Sequence, residues 1–252
     1  AVFWLFGVIG VLLGVLWFKF VPDNPKQSPY VNEAELEHIN DGRENTVEAK
    51  EIAPWGKLLK SSQFWSLGLQ FMITDYIMYV FLAWLPLYLM EVHGFSLSKM
   101  GLWAAAPWLS LMAVVSCCGY LSDKAIAAGF SQNLVKTSTG AVGILLCACT
   151  LFIATRTADP MMNVFWLSVA LGSLGLTMSA SWSSVISMGG RFAGSVSGWM
   201  NFWGNIGGVL APSVTAWVAT TYGWQAALAV TAVSGIAGAV LWLFVKPDKA
   251  IV

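Results

Sequence analysis

Seven stretches of this sequence are long and apolar enough to cross the hydrocarbon of a bilayer, which takes about 20 helical residues. They lie near 2–20, 64–90, 98–120, 134–156, 162–187, 194–220 and 225–245. Lipid cannot satisfy a free backbone amide, so runs of this kind are helices. The chain is therefore read as an all-α, polytopic membrane protein with seven transmembrane helices. Composition agrees: 57% of residues are hydrophobic and 10% charged, too apolar for a soluble core to hide. The formal net charge of zero conceals an uneven distribution, with 13 of the 26 charged residues between positions 21 and 62. All four cysteines, Cys117, Cys118, Cys147 and Cys149, fall in apolar runs without metal-ligand spacing and read as packing residues.

The first stretch opens at Ala1 already apolar, with neither an initiator Met nor the basic flank of a signal peptide, so the chain is expected to continue upstream. A comparison at an offset of 225 residues supports this. Ala1, Val8, Gly10, Val15, Leu16, Trp17, Pro22 and Asp23 meet Ala226, Val233, Gly235, Val240, Leu241, Trp242, Pro247 and Asp248. One element thus occurs twice, as in a duplicated protein of six-helix halves with five helices preceding this chain. The expected organisation is a last helix of the first half (1–20), a central polar linker (21–62), a six-helix half (63–246) and a tail (247–252). Pro22, Pro25 and Pro29 stop the first helix, and Asn32 caps a short linker helix with Glu35 three residues on.

Orientation follows from the cations. With the linker cytoplasmic, eleven Lys and Arg lie inside and two, Lys99 and Arg156, outside, in accord with the positive-inside rule. Trp17, Trp65 and Trp242 at inner boundaries, and Trp217 and Trp224 at outer ones, fit an aromatic belt.

Polar side chains inside the spans carry the functional reading, because at that depth they face a neighbouring helix or a wet cavity. At about 100° per residue, Ser179, Trp182, Ser183 and Ile186 share one helical face. Gly198, Asn201, Asn205 and Gly208 share another on the next helix. The two faces read as half of a binding cavity, with helix packing through Ser, Asn and Gly as the competing account. Asp75 is the one acidic residue deep in a span, with Tyr79 one turn on and Gln70 and Thr74 on an adjoining face. An ionised carboxylate there costs about 3 kcal/mol, so Asp75 is expected to be protonated, paired or set in water, and is a candidate proton site. No Lys or Arg lies deep in any span to neutralise a substrate carboxylate, so this chain alone is not expected to transport.

Gly119 to Gly129 reads as an inner loop in which Asp123 and Lys124 suit a charged contact with a neighbouring helix end. Gly10 with Gly14, Gly194 with Gly198, and Gly204 with Gly208 allow close helix approach, and Pro86 and Pro212 suit bending. Enzyme signatures are missing from the sequence: there is no His-Glu-x-x-His, paired intramembrane aspartate or Ser-His pairing, and His38 and His93 fall in the linker and an outer loop. No cofactor, metal or nucleic-acid partner is expected. A complete seven-helix receptor or sensor suits the span count but not the repeat or the long linker.

Several segments resemble the major facilitator superfamily, and within it the anion:cation symporter family of sugar-acid and organic-anion carriers. They are Lys60-Ser-Ser-Gln-Phe-Trp65, Tyr79-Val-Phe-Leu-Ala-Trp-Leu-Pro-Leu-Tyr-Leu89, the degenerate loop motif from Gly119 to Gly129, Ser181-Trp182-Ser183, and Gly198-Trp-Met-Asn201-Phe. The resemblance implies proton-coupled symport of a small organic anion, such as galactonate, glucarate or a hexuronate, in a bacterial inner membrane. It implies that Tyr79, Ser179, Ser181, Trp182 and Asn201 line the substrate cavity. Asp75, Gln70 and Asn205 stand as further cavity or coupling residues, and Gly119, Asp123 and Lys124 as a cytoplasmic gate. Asp75 departs from the amide expected near its position. Sodium coupling or exchange of a different substrate is the alternative within the superfamily.

Overall fold

The structure, a computed structural model, describes residues 2–22, 24–40 and 52–251. Residues 41–51, with Arg43 and Lys50, lie outside the described residues, as do Ala1, Asp23 and Val252. Contacts divide the chain into two units, Ala1–Ile52 and Ala53–Val252. The division falls earlier than the border between linker and bundle expected at 62/63.

In the first unit, α1 (Val2–Phe20) is uniformly apolar and buries none of its side chains. A surface of that kind, all round a 19-residue helix, suits lipid or other helices rather than water. Beyond it Pro25 opens a 3-10 turn, with the Asn24 side chain accepting from the Lys26 amide. α2 (Glu33–Asn40) is capped as its sequence suggests: the Glu35 amide donates to Asn32 Oδ1 at 2.8 Å.

The second unit consists of α3 (Trp55–Leu58), α4 (Ser62–His93), α5 (Leu97–Trp103), α6 (Ala105–Ala127), α7 (Gln132–Arg156), α8 (Pro160–Gly189), α9 (Ala193–Tyr222) and α10 (Trp224–Trp242). Across the described residues six apolar helical runs can cross a membrane, and one of them, Pro160–Tyr222, is 63 residues long. At about 1.5 Å per residue that run is far too long for one crossing. It is interrupted by Gly190, whose φ of 48° is open to glycine, and by a 3-10 turn, so α8 and α9 cross separately. Six runs thus hold the seven expected crossings. α8 packs against α7, α6, α9 and α4, while α4 packs against α9 and α10.

The near end of this unit, where α4 begins, is held by polar contacts. Buried Lys136 donates from Nζ to the Ser183 carbonyl and to Ser187 Oγ. Thr137 Oγ1 donates to the Val245 carbonyl, and the Ile251 amide to that of Met188.

Several details differ from the sequence reading. Gly119, Asp123 and Lys124 lie on the last turns of α6 rather than in a loop, since nothing between Tyr120 and Ala127 breaks a helix and Lys124 suits its C-terminal turn. Trp242 is no belt residue: it is fully buried, its indole lying where a side chain at Gly140 would stand. His93 is the last residue of α4, ended by Gly94 at φ 65°. Of the three glycine pairs, Gly204 and Gly208 meet α4, whereas Gly10, Gly14, Gly194 and Gly198 have open space beside them. Cys118 and Cys147 are buried as packing residues, but Cys117 and Cys149 are exposed on the bundle surface.

The tightest seam is at Gly207, where a Cβ would stand 2.1 Å from the backbone oxygen of Met72. Gly207→Ala should destabilise the detergent-solubilised protein by about 1–3 kcal/mol, since neither backbone can yield locally. Gly194→Ala should leave the thermal midpoint unchanged or slightly raised. Equal midpoints for the two variants would remove the α4/α9 seam from the packing.

Candidate functional site

The polar residues of the sequence reading separate into an open seam and a closed core. On α4, Phe71, Asp75 and Tyr79 recur at four-residue intervals and so form one stripe. The stripe meets α8 where the Phe71 ring stands edge-on to Trp182, with centroids 5.9 Å apart. It meets α9 through glycines. A Cβ at Gly204 would stand 2.4 Å from Asp75 Oδ2, and one at Gly208 would stand 3.0 Å from the Tyr79 ring. The two missing side chains are thus what admit the carboxyl and the phenol into the seam.

Asp75 is 7% exposed and makes no hydrogen bond or ion pair among the described residues. Trp182, at 41% exposed, covers one side of the seam. Asn201 and Asn205 are exposed on α9, within about 100° of Gly204 around the helix axis. Asn205 donates from Nδ2 to the Asn201 carbonyl at 2.8 Å, leaving its side-chain oxygen outward. Asp75 and Tyr79 of α4 therefore meet α9, Phe71 links the same stripe to Trp182 of α8, and Asn201 and Asn205 lie on the exposed flank of α9 beside Gly204. Phe71 is a residue the sequence reading passed over. Its signal was the position one turn before Asp75 on the same face.

Gln70 and Ser181 lie elsewhere. Both are fully buried, and Gln70 Nε2 donates to Ser181 Oγ at 3.1 Å. Thr74 Oγ1 donates to the Gln70 carbonyl, Ser181 Oγ to that of Thr177, and Thr177 Oγ1 to that of Gly140 on α7. This run of bonds ties α4, α8 and α7 together and leaves Gln70 and Ser181 turned into the bundle. Ser179 is half-buried, one turn beyond Gly175, which packs on α6. Gly119, Asp123 and Lys124 are remote from the seam, with Lys124 Nζ 4.5 Å from the centre of the Tyr120 ring. Among the described residues no three His, Cys, Asp or Glu side chains converge to hold a metal ion.

The helices and their seam define a polytopic, all-helical membrane protein with polar groups gathered between three of its spans. The chain belongs to the Major Facilitator Superfamily, whose profile matches residues 1–212. Among curated relatives it is 27% identical over 250 residues to the chloroplastic ascorbate transporter of Arabidopsis thaliana, covering 99% of this chain and 46% of that protein. It is 28% identical to the D-galactonate transporter of Escherichia coli O6:H1, covering 97% of this chain and 59% of that one. It is also 25% identical to sodium-dependent phosphate transport protein 1, chloroplastic, of Arabidopsis thaliana, covering 100% and 49%. The chain spans about half the length of these relatives.

The buried bonds make a distinction that stability can check. Gln70→Ala leaves Ser181 without its cross-helix partner and should cost about 1–3 kcal/mol in the absence of any ligand. Asn201→Ala, on an exposed face, should leave the unliganded midpoint unchanged. Thermal denaturation of the two variants side by side reads the difference, and an equal loss in both would place Asn201 in the packing as well.

Proposed function

We propose that the chain forms one wall of a secondary active transporter for a small organic anion, with the α4/α8/α9 seam as its substrate-facing surface. The observation that carries this is the α4 stripe of Phe71, Asp75 and Tyr79, which meets Trp182 of α8 and Gly204 and Gly208 of α9 and whose Asp75 has no partner among the described residues. A polyhydroxy acid suits such a surface: Asn and Tyr exchange hydrogen bonds with hydroxyls, and an indole covers the apolar face of a sugar. Ser179 remains a candidate at its edge. Ser181 and Gln70 act by holding α4 to α8 behind the seam. The family relationship and the relatives named for ascorbate and D-galactonate support an organic-anion substrate.

The opposite wall, with the cation that neutralises the substrate carboxylate, belongs to helices beyond this chain, and the two walls rock about the site. Asp75 is the proton-coupling candidate of this wall, because an unpaired carboxyl at that depth is costly to leave charged. Gly119, Asp123 and Lys124 bias the cytoplasmic closure, and the protein resides in a bacterial inner membrane. A second reading, sodium coupling, is favoured by the relative named as a sodium-dependent phosphate transport protein.

The test uses the full-length protein. A thermal-shift screen against sugar acids should give a stabilising hit, and Asn201→Ala and Trp182→Ala should each weaken it roughly tenfold or more, the loss of one or two good polar or stacking contacts. Unchanged shifts would remove both residues from the site. In energised vesicles, substrate addition should alkalinise the outside under proton symport. Asp75→Asn should abolish accumulation while sparing counterflow exchange. Accumulation that follows sodium and ignores pH would establish the second reading.

A further inference from the structure

Cations are scarce at the far end of the second unit, where α4 and α7 finish and α8 and α10 begin. Lys99 and Arg156 are the two that the sequence assigns to that side. Lys99 Nζ lies 4.5 Å from the centre of the Phe95 ring. Arg156 instead borders a cavity of about 260 Å³, lined also by Tyr88, His93, Thr157 and Gln225. Tyr88 is about 13 residues, or roughly 20 Å of helix, beyond Asp75, so this cavity is separate from the seam.

Its lining is rich in donors and holds no carboxylate. Of the two acids nearest in sequence, Glu91 Oε2 accepts from Trp224 Nε1 at 2.8 Å, while Asp159 caps α8 by accepting from the Met162 amide and also acts by its charge on His93. Arg156 lies over the Phe152 ring and has no carboxylate partner among the described residues. Tyr88 is 5% exposed, and its oxygen accepts from Asn163 Nδ2 at 3.0 Å, which leaves the phenolic hydrogen to be given away. His93 is half-buried, with the Asn163 side chain beside its ring. The Thr157 hydroxyl hydrogen is spent on the Ile153 carbonyl. An exposed guanidinium over an aromatic ring, beside a buried phenol whose hydroxyl hydrogen is unused, is matched by a group that only accepts and carries negative charge.

We propose that this cavity binds a small oxyanion, the carboxylate or phosphate group of a solute or lipid, through Arg156 with Tyr88 as a neutral donor. The site does not depend on the carrier reading of the seam, and its test reads binding rather than transport. Full-length protein in detergent is titrated with inorganic phosphate and with sulfate at constant ionic strength set by chloride. Wild type should show a saturable rise in thermal midpoint, and Arg156→Gln should weaken the apparent affinity roughly tenfold or more, as expected for losing a charged, forked contact. Tyr88→Phe, which removes one hydroxyl, should weaken it less and serves should Arg156→Gln not fold. Lys99→Gln, at the other cation of this end, should match wild type.

Repeating the titration in nanodiscs of phosphatidylcholine, with and without phosphatidylglycerol, separates the sources. A phosphate response lost only with phosphatidylglycerol makes the occupant a headgroup, and a response kept in both makes it a free ion. No saturable response to either ion, an unchanged affinity in both Arg156→Gln and Tyr88→Phe, or an equal loss in Lys99→Gln overturns the site.

Discussion

A polar group in hydrocarbon has no solvent to fall back on, and the arrangement of this bundle follows from that constraint. The bonds from Thr74 to Gln70, across to Ser181, on to Thr177 and then to the Gly140 carbonyl pass through the interior of three helices. Each would be a modest contribution in water. Within the bundle its loss leaves an orphaned donor or acceptor, and that asymmetry fixes which faces of α4, α7 and α8 meet.

Glycine performs the complementary task on the other side of α4. Gly204, Gly207 and Gly208 present no side chains, so α9 approaches until its backbone lies against Met72 and the Asp75 and Tyr79 side chains fill the space left. Carboxyl and phenol are thereby held at a seam between helices rather than displayed on a surface. A seam between packed helices is also where small relative movements change exposure most, since packed elements switch between discrete arrangements. Membership of the Major Facilitator Superfamily accords with this division into a tied core and a looser polar face.

The cations follow the same logic at the bundle ends. Lys136 is buried at the near end, yet its ammonium reaches the Ser183 carbonyl and Ser187 Oγ near the C-terminus of α8, where a positive charge is favoured. At the far end Arg156 has an aromatic ring beside it and a cavity in front.

Much of this was legible in the amino-acid sequence. The seven crossings, the Asn32 cap and the membership of Asp75, Tyr79, Trp182 and Asn201 in polar faces follow from hydropathy, local hydrogen-bond chemistry and helical period, which are properties of neighbouring residues. Which Ser, Gln or Gly faces a neighbour and which faces open space depends on how helices distant in sequence are rotated against each other. Ser181 and Trp182 are adjacent in the chain, yet one is sealed against Gln70 and the other half-open beside Phe71. Gly194 and Gly207 look alike in sequence, but only one meets another backbone. The sequence by itself determined what crosses the membrane and which polar groups go with it. The tertiary structure alone decided which of them pair, because pairing is a property of two surfaces and the sequence describes one surface at a time.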